Sequence, residues 1–342
     1  MSSDFNSLQE IAQAMTVKGK GILAADESNP TCKKRFDSIG VESTEQNRNI
    51  YRDLLFTTKG MKEFISGVIL YDETIRQSTI KDGVPFLDFL SGLGVIPGIK
   101  VDAGAKNLSS TDGEKVTEGL DGLDGRLKEY YTIGARFAKW RAVITIGDSE
   151  PSGTCILANA HALARYAALC QQNGIVPIVE PEILMDGTHT IEESFLVSEE
   201  VLHTVFYELY GQNVNFEGMV LKPNMVLSGY NCPDQASVEQ VAELTVRVFK
   251  RCVPSAVPGI AFLSGGQSDE HATAHLNAMN KLLGDSSPWN LTFSYGRALQ
   301  APALKAWSGK DENISDAQEA FYKRAKFNSL ATKGDYSEDM ES

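Results

Sequence analysis

An apolar run ends at a lysine and a proline in the segment Val220-Leu221-Lys222-Pro223-Asn224-Met225. The apolar residues indicate a buried strand, and a lysine at the end of such a strand is costly because burial disfavours the charged amine. A neutral amine is a nucleophile that can attack a carbonyl group and form a Schiff base. A lysine here can also reach back to water beyond the strand, so the choice between the two interpretations depends on the rest of the chain.

The same pattern, a short apolar strand that ends in polar residues, recurs along the chain. The predicted strands cover residues 21–25, 65–71, 95–99, 137–146, 175–179, 219–221, 260–263 and 291–293. The spacing between consecutive strand ends leaves room for one helix and two loops, as in β/α units. The sequence therefore predicts a parallel sheet built from eight such units.

Helical patterns fill most of the gaps between the predicted strands. Helices are predicted at 154–172 and 191–210, the latter with a C-cap at Gly211, and further helices open near Ser7, Ser237 and Ser315. Eight strands alternating with helices in 342 residues favour an α/β fold, the closed (β/α)8 TIM barrel. We expect one catalytic domain over residues 1–342, with a short C-terminal tail from about 334. An open doubly wound sheet is the alternative, although no GxGxxG motif follows the first strand.

Composition limits the range of partners. A net charge of −13 disfavours binding to nucleic acid or to an anionic membrane surface. The N-terminus lacks the apolar core of a signal peptide, and no apolar run approaches the roughly 20 residues that span a bilayer. We therefore expect a cytoplasmic protein that binds neither nucleic acid nor membrane. The cysteines lack CxxC spacing and indicate reduced thiols; they are Cys32, Cys155, Cys170, Cys232 and Cys252.

Polar side chains at the strand ends should converge, because the active site of a TIM barrel lies where its strands end. Side chains alternate along a strand, so Lys139 and Arg141 should share a face that Trp140 turns away from, and Glu180 should share one with Glu182. Cations and carboxylates in one mouth suit an anionic substrate whose reaction moves protons. Solvated loop charges are the alternative, which repetition on successive strands disfavours. The side chains expected in the mouth are Asp26, Lys34, Arg35, Lys100, Lys139, Arg141, Glu180, Glu182, Lys222 and Arg297.

Two glycine-containing turns, Ser264-Gly265-Gly266 and Ser294-Tyr295-Gly296-Arg297, follow the last two predicted strands. This is the usual phosphate site of such barrels, since glycine lets backbone N–H groups approach the phosphate oxygens and an arginine adds a fork of donors. Each turn alone could simply require glycine, but their joint occurrence favours phosphate. A second basic set, Lys33-Lys34-Arg35 with Lys100, could hold another phosphate, although an exposed helix start explains it better.

Taken together, these motifs resemble the class I fructose-bisphosphate aldolases over about residues 8–334. The resemblance implies a (β/α)8 barrel, a Schiff-base lysine, no metal or other cofactor and usually a homotetramer. It also implies reversible aldol cleavage of fructose 1,6-bisphosphate to dihydroxyacetone phosphate and glyceraldehyde 3-phosphate, in glycolysis, gluconeogenesis or the Calvin cycle. The matching segments are Leu23-Ala24-Ala25-Asp26-Glu27-Ser28, Gly98-Ile99-Lys100-Val101-Asp102, Ala138-Lys139-Trp140-Arg141, Val179-Glu180-Pro181-Glu182-Ile183, Leu221-Lys222-Pro223-Asn224-Met225, Phe262-Leu263-Ser264-Gly265-Gly266-Gln267 and Phe293-Ser294-Tyr295-Gly296-Arg297-Ala298-Leu299-Gln300.

The resemblance further implies individual roles. Lys222 attacks carbon-2 of the substrate, and Glu180 moves protons as the carbinolamine forms and loses water. Lys139 stays charged beside them, while Asp26 takes the proton of the carbon-4 hydroxyl as the carbon–carbon bond breaks. The 1-phosphate is assigned to Ser264, Gly265, Gly296 and Arg297. The remaining substrate contacts are assigned to Ser28, Lys34, Arg35, Lys100, Arg141 and Glu182.

Two alternatives to this function are a metal-dependent aldolase and a binding scaffold without catalysis. His271 and His275 are one helical turn apart and could share a metal in a class II-like aldolase, but no HExxH glutamate and no nearby third ligand accompany them, so a surface helix face is favoured. Members of the family can also act as binding scaffolds, and nothing in the sequence indicates a protein partner. The preference among fructose bisphosphate, fructose 1-phosphate and sedoheptulose bisphosphate stays open, because all three share one head group.

Overall fold

The eight predicted strands are all present and close into one parallel barrel in the computed structural model, which describes residues 7–341. Including a separate hairpin, the strands of this part of the chain are β1 (Gly21–Ala25), β2 (Ile65–Leu70), β3 (Ile96–Lys100), β4 (Ala105–Asn107), β5 (Lys115–Thr117), β6 (Phe137–Ile144), β7 (Val176–Ile183), β8 (Val220–Leu221), β9 (Gly259–Phe262) and β10 (Asn290–Tyr295). The barrel order is β1-β2-β3-β6-β7-β8-β9-β10, and β10 pairs in parallel with β1. This closure confirms the (β/α)8 barrel and excludes the open sheet.

Helices alternate with the barrel strands, as the sequence pattern predicts. The predicted segments 154–172 and 191–210 correspond to the seventh and eighth helices. The helices of the described chain are α1 (Leu8–Met15), α2 (Asn29–Asp37), α3 (Glu45–Phe56), α4 (Asp72–Ile75), α5 (Phe86–Gly92), α6 (Leu123–Ile133), α7 (Gly153–Gln172), α8 (Ile191–Gly211), α9 (Val238–Cys252), α10 (Asp269–Leu283), α11 (Arg297–Trp307) and α12 (Ile314–Ala331).

The ends of three helices show which local sequence signals determine where a helix begins or ends. At the start of α9 the Ser237 hydroxyl accepts a hydrogen bond from the Gln240 N–H at 3.3 Å, and the Gln240 side chain accepts one from the Ser237 N–H at 2.9 Å, which is the predicted capping box. The C-cap predicted at Gly211 is wrong, because Gly211 is the last residue of α8 and the left-handed turn falls on Asn213 with φ 55°. The helix predicted to open at Ser315 instead begins one residue earlier, at Ile314.

The antiparallel hairpin formed by β4 and β5 was not predicted from the sequence. Ala105 pairs with Thr117 and Asn107 with Lys115, in the connection between β3 and α6. Its first strand is fully exposed, so it lacks the apolar residues from which the barrel strands are recognised. Short strands without a buried face leave little periodic signal in the sequence.

The inside of the barrel is packed with apolar side chains at the end where the strands begin. Phe137 is fully buried there, and glycine at 98 makes room for its ring, since a Cβ atom at that position would lie 2.3 Å from the ring. Ile11 and Met15 of α1 belong to the same interior cluster, so α1 packs against this end of the barrel. The interior is therefore closed at one end, and the opposite end remains for the chemistry.

The segment that follows α12 packs back onto the barrel. Tyr336 is buried, its backbone N–H donates to the Asn277 side chain at 3.0 Å, and its ring lies beside Phe327. Within residues 7–341, no helix is both long enough and apolar enough to cross a membrane.

Candidate active site

A cavity of about 410 Å³ opens at the mouth of the barrel, where the strands end. The wall of this cavity contains most of the side chains that the sequence predicts to meet at the mouth. The predicted residues in its wall are Asp26, Arg35, Lys139, Arg141, Glu180, Glu182, Lys222, Ser264, Gly265, Gly296 and Arg297.

Lys222 reaches this cavity from a short strand that is fixed on both sides. Strand β8 ends at Leu221, and the Lys222 backbone N–H continues the ladder by donating to the Val179 carbonyl oxygen at 2.8 Å. The side chain is only 4% exposed, and its Nζ lies 3.1 Å from Oε1 of Glu180. A buried amine is thus held beside a buried carboxylate at the bottom of an open cavity.

Three further charged groups continue from Lys222 in a buried row. Oε2 of Glu180 lies 3.4 Å from Nζ of Lys139, and that Nζ lies 2.7 Å from Oδ2 of Asp26. All four side chains are buried, so each charge depends on its neighbour for compensation. Oε2 of Glu180 has no hydrogen bond of good geometry within the described chain, which leaves this oxygen ready to exchange a proton with a bound molecule.

The charges of this row shift the pKa values of Asp26 and Lys139. Burial opposes ionisation of Asp26, but the positive charges of Lys139 and Lys222 outweigh burial and hold its pKa well below the usual range. Burial likewise opposes the charge on Lys139, yet Asp26 and Glu180 outweigh it and raise the pKa of that amine above its ordinary value. Because the Asp26 pKa is depressed, the stabilisation from its charge is present at neutral pH and is lost only as the pH falls through that low value.

The alternation predicted along β6 and β7 is present. Lys139 and Arg141 face the cavity, whereas Trp140 is fully buried on the other side with its ring 5.5 Å from that of Tyr166 in α7. Across the cavity face, the Arg141 Nε donates to a carboxylate oxygen of Glu182. The period of two residues in a strand therefore delivers cations from β6 and carboxylates from β7 to one wall.

The opposite wall has the geometry of an anion site. Gly265 and Gly266 adopt φ values of 58° and 91°, in the left-handed region that favours glycine. A Cβ atom on Gly266 would lie 1.5 Å from the Tyr230 hydroxyl, so no larger residue fits this turn. Arg297 is the first residue of α11, and its exposed guanidinium has no partner in the described chain. Free N–H groups at a helix start, next to an unpaired guanidinium, can bind a phosphate.

Three residues predicted to bind substrate lie outside the wall of this cavity. Lys100 donates instead to the Asp102 side chain at 2.6 Å, although it stands next to Lys139 in the sheet register. Lys34 is exposed on α2, and the Ser28 hydroxyl lies 3.1 Å from that of Thr31. Lys34 lies in the last turn of α2, not at a helix start, and α2 directs it to solvent, while an acidic neighbour holds Lys100.

Other wall residues were missed by the sequence reasoning. Glu27 is held between Arg35 and Arg52, with 2.6 Å between the Arg52 guanidinium and Oε2 of Glu27. Its signal was present, because it follows Asp26 directly in the same motif. Tyr230 comes from the loop after β8, and its hydroxyl donates to the Gly265 carbonyl oxygen at 3.3 Å. A contact between two distant loops has no local signal in the sequence. The missed wall residues also include Ala24, Leu184, Asp186 and Leu263, whereas Gly266 and Ser294 belong to the two turns predicted to bind phosphate.

The histidine pair on α10 does not form a metal site with a third ligand in residues 7–341. His275 is buried with Nδ1 2.6 Å from the Gln267 side chain, and burial together with nearby His271 lowers its pKa to about 4. Within residues 7–341, only one group of three side chains has its ligand atoms close enough together to hold a metal ion, and that group lies on α8 and α9 and not on α10. His271 is exposed, as the surface-helix interpretation predicts, but that interpretation is wrong for His275, which is buried against Gln267.

A (β/α)8 barrel with buried amines and carboxylates on one side of its mouth, and an anion-binding turn on the other, is the architecture of an enzyme for phosphorylated substrates. Comparison with known proteins narrows this class. Residues 7–342 match the family model described as glycolytic, fructose-bisphosphate aldolase class-I.

Similar proteins agree with the family model over almost the whole chain. The chain is 60% identical to a probable fructose-bisphosphate aldolase class 1 of Xanthomonas campestris pv. campestris, over 96% of this chain and 97% of that protein. It is 56% identical to the cytosolic fructose-bisphosphate aldolase 4 of Arabidopsis thaliana, over 94% and 82%. A crystal structure of fructose-bisphosphate aldolase from Plasmodium falciparum, in complex with TRAP and a small-molecule inhibitor, superposes with a TM-score of 0.94 at 54% identity, over 96% and 95%.

The chain therefore belongs to the class I fructose-bisphosphate aldolase family. It is an aldolase that reversibly cleaves fructose 1,6-bisphosphate to dihydroxyacetone phosphate and glyceraldehyde 3-phosphate. The family assignment confirms the resemblance seen in the sequence motifs and removes the class II-like alternative.

Proposed function

We propose that this aldolase cleaves its substrate through a Schiff base on Lys222. The observation that carries the proposal is the position of this buried amine at the end of β8, 3.1 Å from Glu180 and inside the cavity. Attack of the amine on the carbon-2 carbonyl gives a carbinolamine, which loses water to become an iminium ion. The iminium ion then accepts the electron pair released when the bond between carbons 3 and 4 breaks.

The neighbours of Lys222 divide the proton transfers among themselves. Glu180 lies between two amines, so it can take a proton from the attacking nitrogen and deliver one to the departing hydroxyl group. Lys139 remains charged, because its pKa is raised by Asp26 and Glu180, and its charge stabilises anionic intermediates. Asp26 is ionised and faces the cavity, where it can accept the proton of the carbon-4 hydroxyl. After glyceraldehyde 3-phosphate leaves, the enamine on Lys222 takes a proton at carbon-3 from Glu180, water or another group, and water then hydrolyses the iminium to release dihydroxyacetone phosphate and the free amine. None of these steps requires a metal or another cofactor.

The two phosphates would bind at opposite walls of the cavity. The turn formed by Ser264 and Gly265, together with Gly296 and Arg297 at the start of α11, suits the 1-phosphate next to the reacting carbonyl. Arg141 and Glu182 line the other side and suit the 6-phosphate end with its hydroxyl groups. Arg35, which the sequence motif assigns to that end, lies nearer the first wall, since its guanidinium is 3.8 Å from the position that a Cβ atom on Gly296 would take. The remaining candidates for this end are Ser28, Lys34 and Lys100, which would have to turn inward when substrate binds.

We propose that the protein assembles as a homotetramer in the cytoplasm. Large apolar side chains are exposed on the outer faces of α7 and α8, as expected of a surface that another subunit covers. These are Leu157, Leu196, Tyr207 and Tyr210, which are 52%, 63%, 74% and 76% exposed. Relatives from Arabidopsis thaliana and spinach are named cytosolic or cytoplasmic. Sedimentation equilibrium measures the mass of the assembly directly.

Borohydride trapping tests the Schiff base. Dihydroxyacetone phosphate and borohydride together should inactivate the enzyme and add one reduced adduct per chain, because borohydride reduces the iminium to a stable amine. Borohydride alone should leave the activity intact. Intact-mass measurement followed by peptide mapping should place the adduct on the peptide that contains Lys222. An enzyme that resists trapping but loses activity to a chelator would contradict the proposal.

The Arg297→Ala change should weaken binding of the 1-phosphate. The exposed guanidinium next to the start of α11 is free to make a bidentate, charge-assisted contact, whose loss should cost on the order of 2 kcal/mol in kcat/KM for fructose 1,6-bisphosphate. In the condensation direction the KM for dihydroxyacetone phosphate should rise by a similar factor. The matched control is Arg141→Ala on the wall formed by β6 and β7, which should leave that KM nearly unchanged. An unchanged KM in the Arg297 variant would place the phosphate elsewhere.

A further inference from the structure

The outer layer of helices contains a cluster of three potential metal ligands that the aldolase reaction does not use. Glu199 and His203 come from α8 and Cys252 from α9, and their ligand atoms all lie within 4.8 Å of one another. No other three such side chains in residues 7–341 approach each other this closely. None of them lines the catalytic cavity.

The two helices present these ligands without rearrangement of the backbone. Glu199 and His203 are four residues apart, so they lie on the same face of α8 one turn from each other. Cys252 is the last residue of α9, is 8% exposed, and its Sγ lies 3.7 Å from the Glu199 carbonyl oxygen. A carboxylate, an imidazole and a thiol thus face one point in the groove between α8 and α9.

The three side chains differ in how many of their ligand atoms are already engaged in other contacts. The His203 ring is exposed and makes no hydrogen bond within the described chain. Oε1 of Glu199 is held by Nε of Arg251 at 2.6 Å, which leaves its other oxygen available. Arg251 also lies over the Phe195 ring at 5.7 Å, so it makes a second contact from this position. A metal ion would share this carboxylate with Arg251.

We propose that Glu199, His203 and Cys252 form a binding site for Zn²⁺. Sulfur, imidazole nitrogen and a carboxylate oxygen are the ligands that zinc takes in proteins, whereas Mg²⁺ and Ca²⁺ prefer oxygen alone. Zinc bond lengths place the ligand atoms of a tetrahedral site about 3.5 Å apart. The three atoms must therefore close in by about 1 Å, which rotation of the exposed His203 side chain together with that of the Glu199 carboxylate allows. A water molecule would occupy the fourth position.

Zinc binding here would link α8 to α9 without touching the reaction centre. The thiol of Cys252 would lose its proton to solvent, since the thiolate is the form that binds metal. The bound ion stabilises the folded state by mass action, because the unfolded chain does not hold the three ligands together. His203 lies within the exposed stripe that carries Leu196, Tyr207 and Tyr210 on α8, because residues 196, 203 and 210 are seven apart on one helix face. A subunit that covers this stripe would also cover His203, so the assembled protein is the form to test.

The test measures zinc bound to the chelator-washed, assembled enzyme by equilibrium dialysis with metal analysis. We expect one Zn²⁺ per chain with a Kd below about 100 µM, together with an upward shift of the Tm in zinc. Replacing Zn²⁺ by Co²⁺ should give the visible bands of a tetrahedral ion and a thiolate charge-transfer band in the near ultraviolet. The variants His203→Gln and Cys252→Ser should each weaken zinc binding by at least about tenfold.

Two controls match these changes in chemistry. His161→Gln alters the exposed His161 of α7, which lies 2.9 Å from Glu208 of α8 but belongs to no group of three potential metal ligands in residues 7–341. Cys232→Ser alters a buried thiol outside the cluster. Both controls should bind zinc as the parent protein does. Without zinc, His203→Gln should cleave fructose 1,6-bisphosphate as fast as the parent protein does. Equal activity would show that this variant is folded.

Specific outcomes overturn the proposal. They are the absence of binding at 100 µM zinc, a cobalt spectrum without a charge-transfer band, or unchanged zinc affinity in His203→Gln. Because His203 is exposed, that variant decides the question even where Cys252→Ser does not fold. None of these outcomes bears on the Schiff base, which is read from borohydride trapping at Lys222.

Discussion

The Lys222→Met variant should neither cleave fructose 1,6-bisphosphate nor form a borohydride-stable adduct with dihydroxyacetone phosphate. Methionine has nearly the length of lysine without the amine, so it can fill the same buried position next to Glu180. Without the nucleophile no iminium forms and the electron sink for carbon–carbon cleavage is lost. We expect kcat to fall by on the order of 10³-fold or more.

A second lysine makes this experiment discriminating. Lys139 lies within 3.4 Å of the same glutamate and is the other buried amine in the cavity wall. Its charge is stabilised by Asp26 and Glu180, which makes it a poor nucleophile. A normal adduct in Lys222→Met, mapped to Lys139, would reverse the two assignments. The control is Lys33→Met on α2, an exposed lysine paired with Asp37, which should keep full activity and trapping.

The barrel itself could be predicted because its strands are buried on both faces. Residues 21–25 were predicted to the residue as β1, and the other barrel strands to within a few residues, since continuous apolar runs stop where polar groups meet solvent at the strand ends. The hairpin of β4 and β5 escaped prediction because its first strand is exposed. The end of α8 was misplaced because the left-handed turn uses Asn213 rather than Gly211.

The candidate site was predictable to the extent that it follows from strand geometry. Lys139 and Arg141 face the cavity because side chains alternate along β6, and Lys222 does so because it follows the last residue of β8. The residues that depend on loop folding were not predictable. The clamp of Arg35 and Arg52 on Glu27 joins three separate segments, and Tyr230 meets Gly265 only because two loops fold together.

The Asp26→Asn variant should separate the two halves of the reaction. Asp26 is ionised in the native protein, with its pKa held down by Lys139 at 2.7 Å and by Lys222. An ionised carboxylate in the cavity wall can accept the carbon-4 hydroxyl proton when the bond to carbon-3 breaks, and an amide cannot. Cleavage of fructose 1,6-bisphosphate should therefore fall by about 10²- to 10⁴-fold.

Schiff-base formation with dihydroxyacetone phosphate should survive in the same variant, because that product has no carbon-4 hydroxyl and Glu180 remains beside Lys222. The matched control is Asp186→Asn, a carboxylate of the same cavity wall that is exposed and pairs with no cation in the described chain; it should retain cleavage within a few-fold. Loss of trapping in step with loss of cleavage would show that Asp26 acts by holding Lys139 and Lys222 in place. Retained trapping without cleavage assigns Asp26 to the breaking bond.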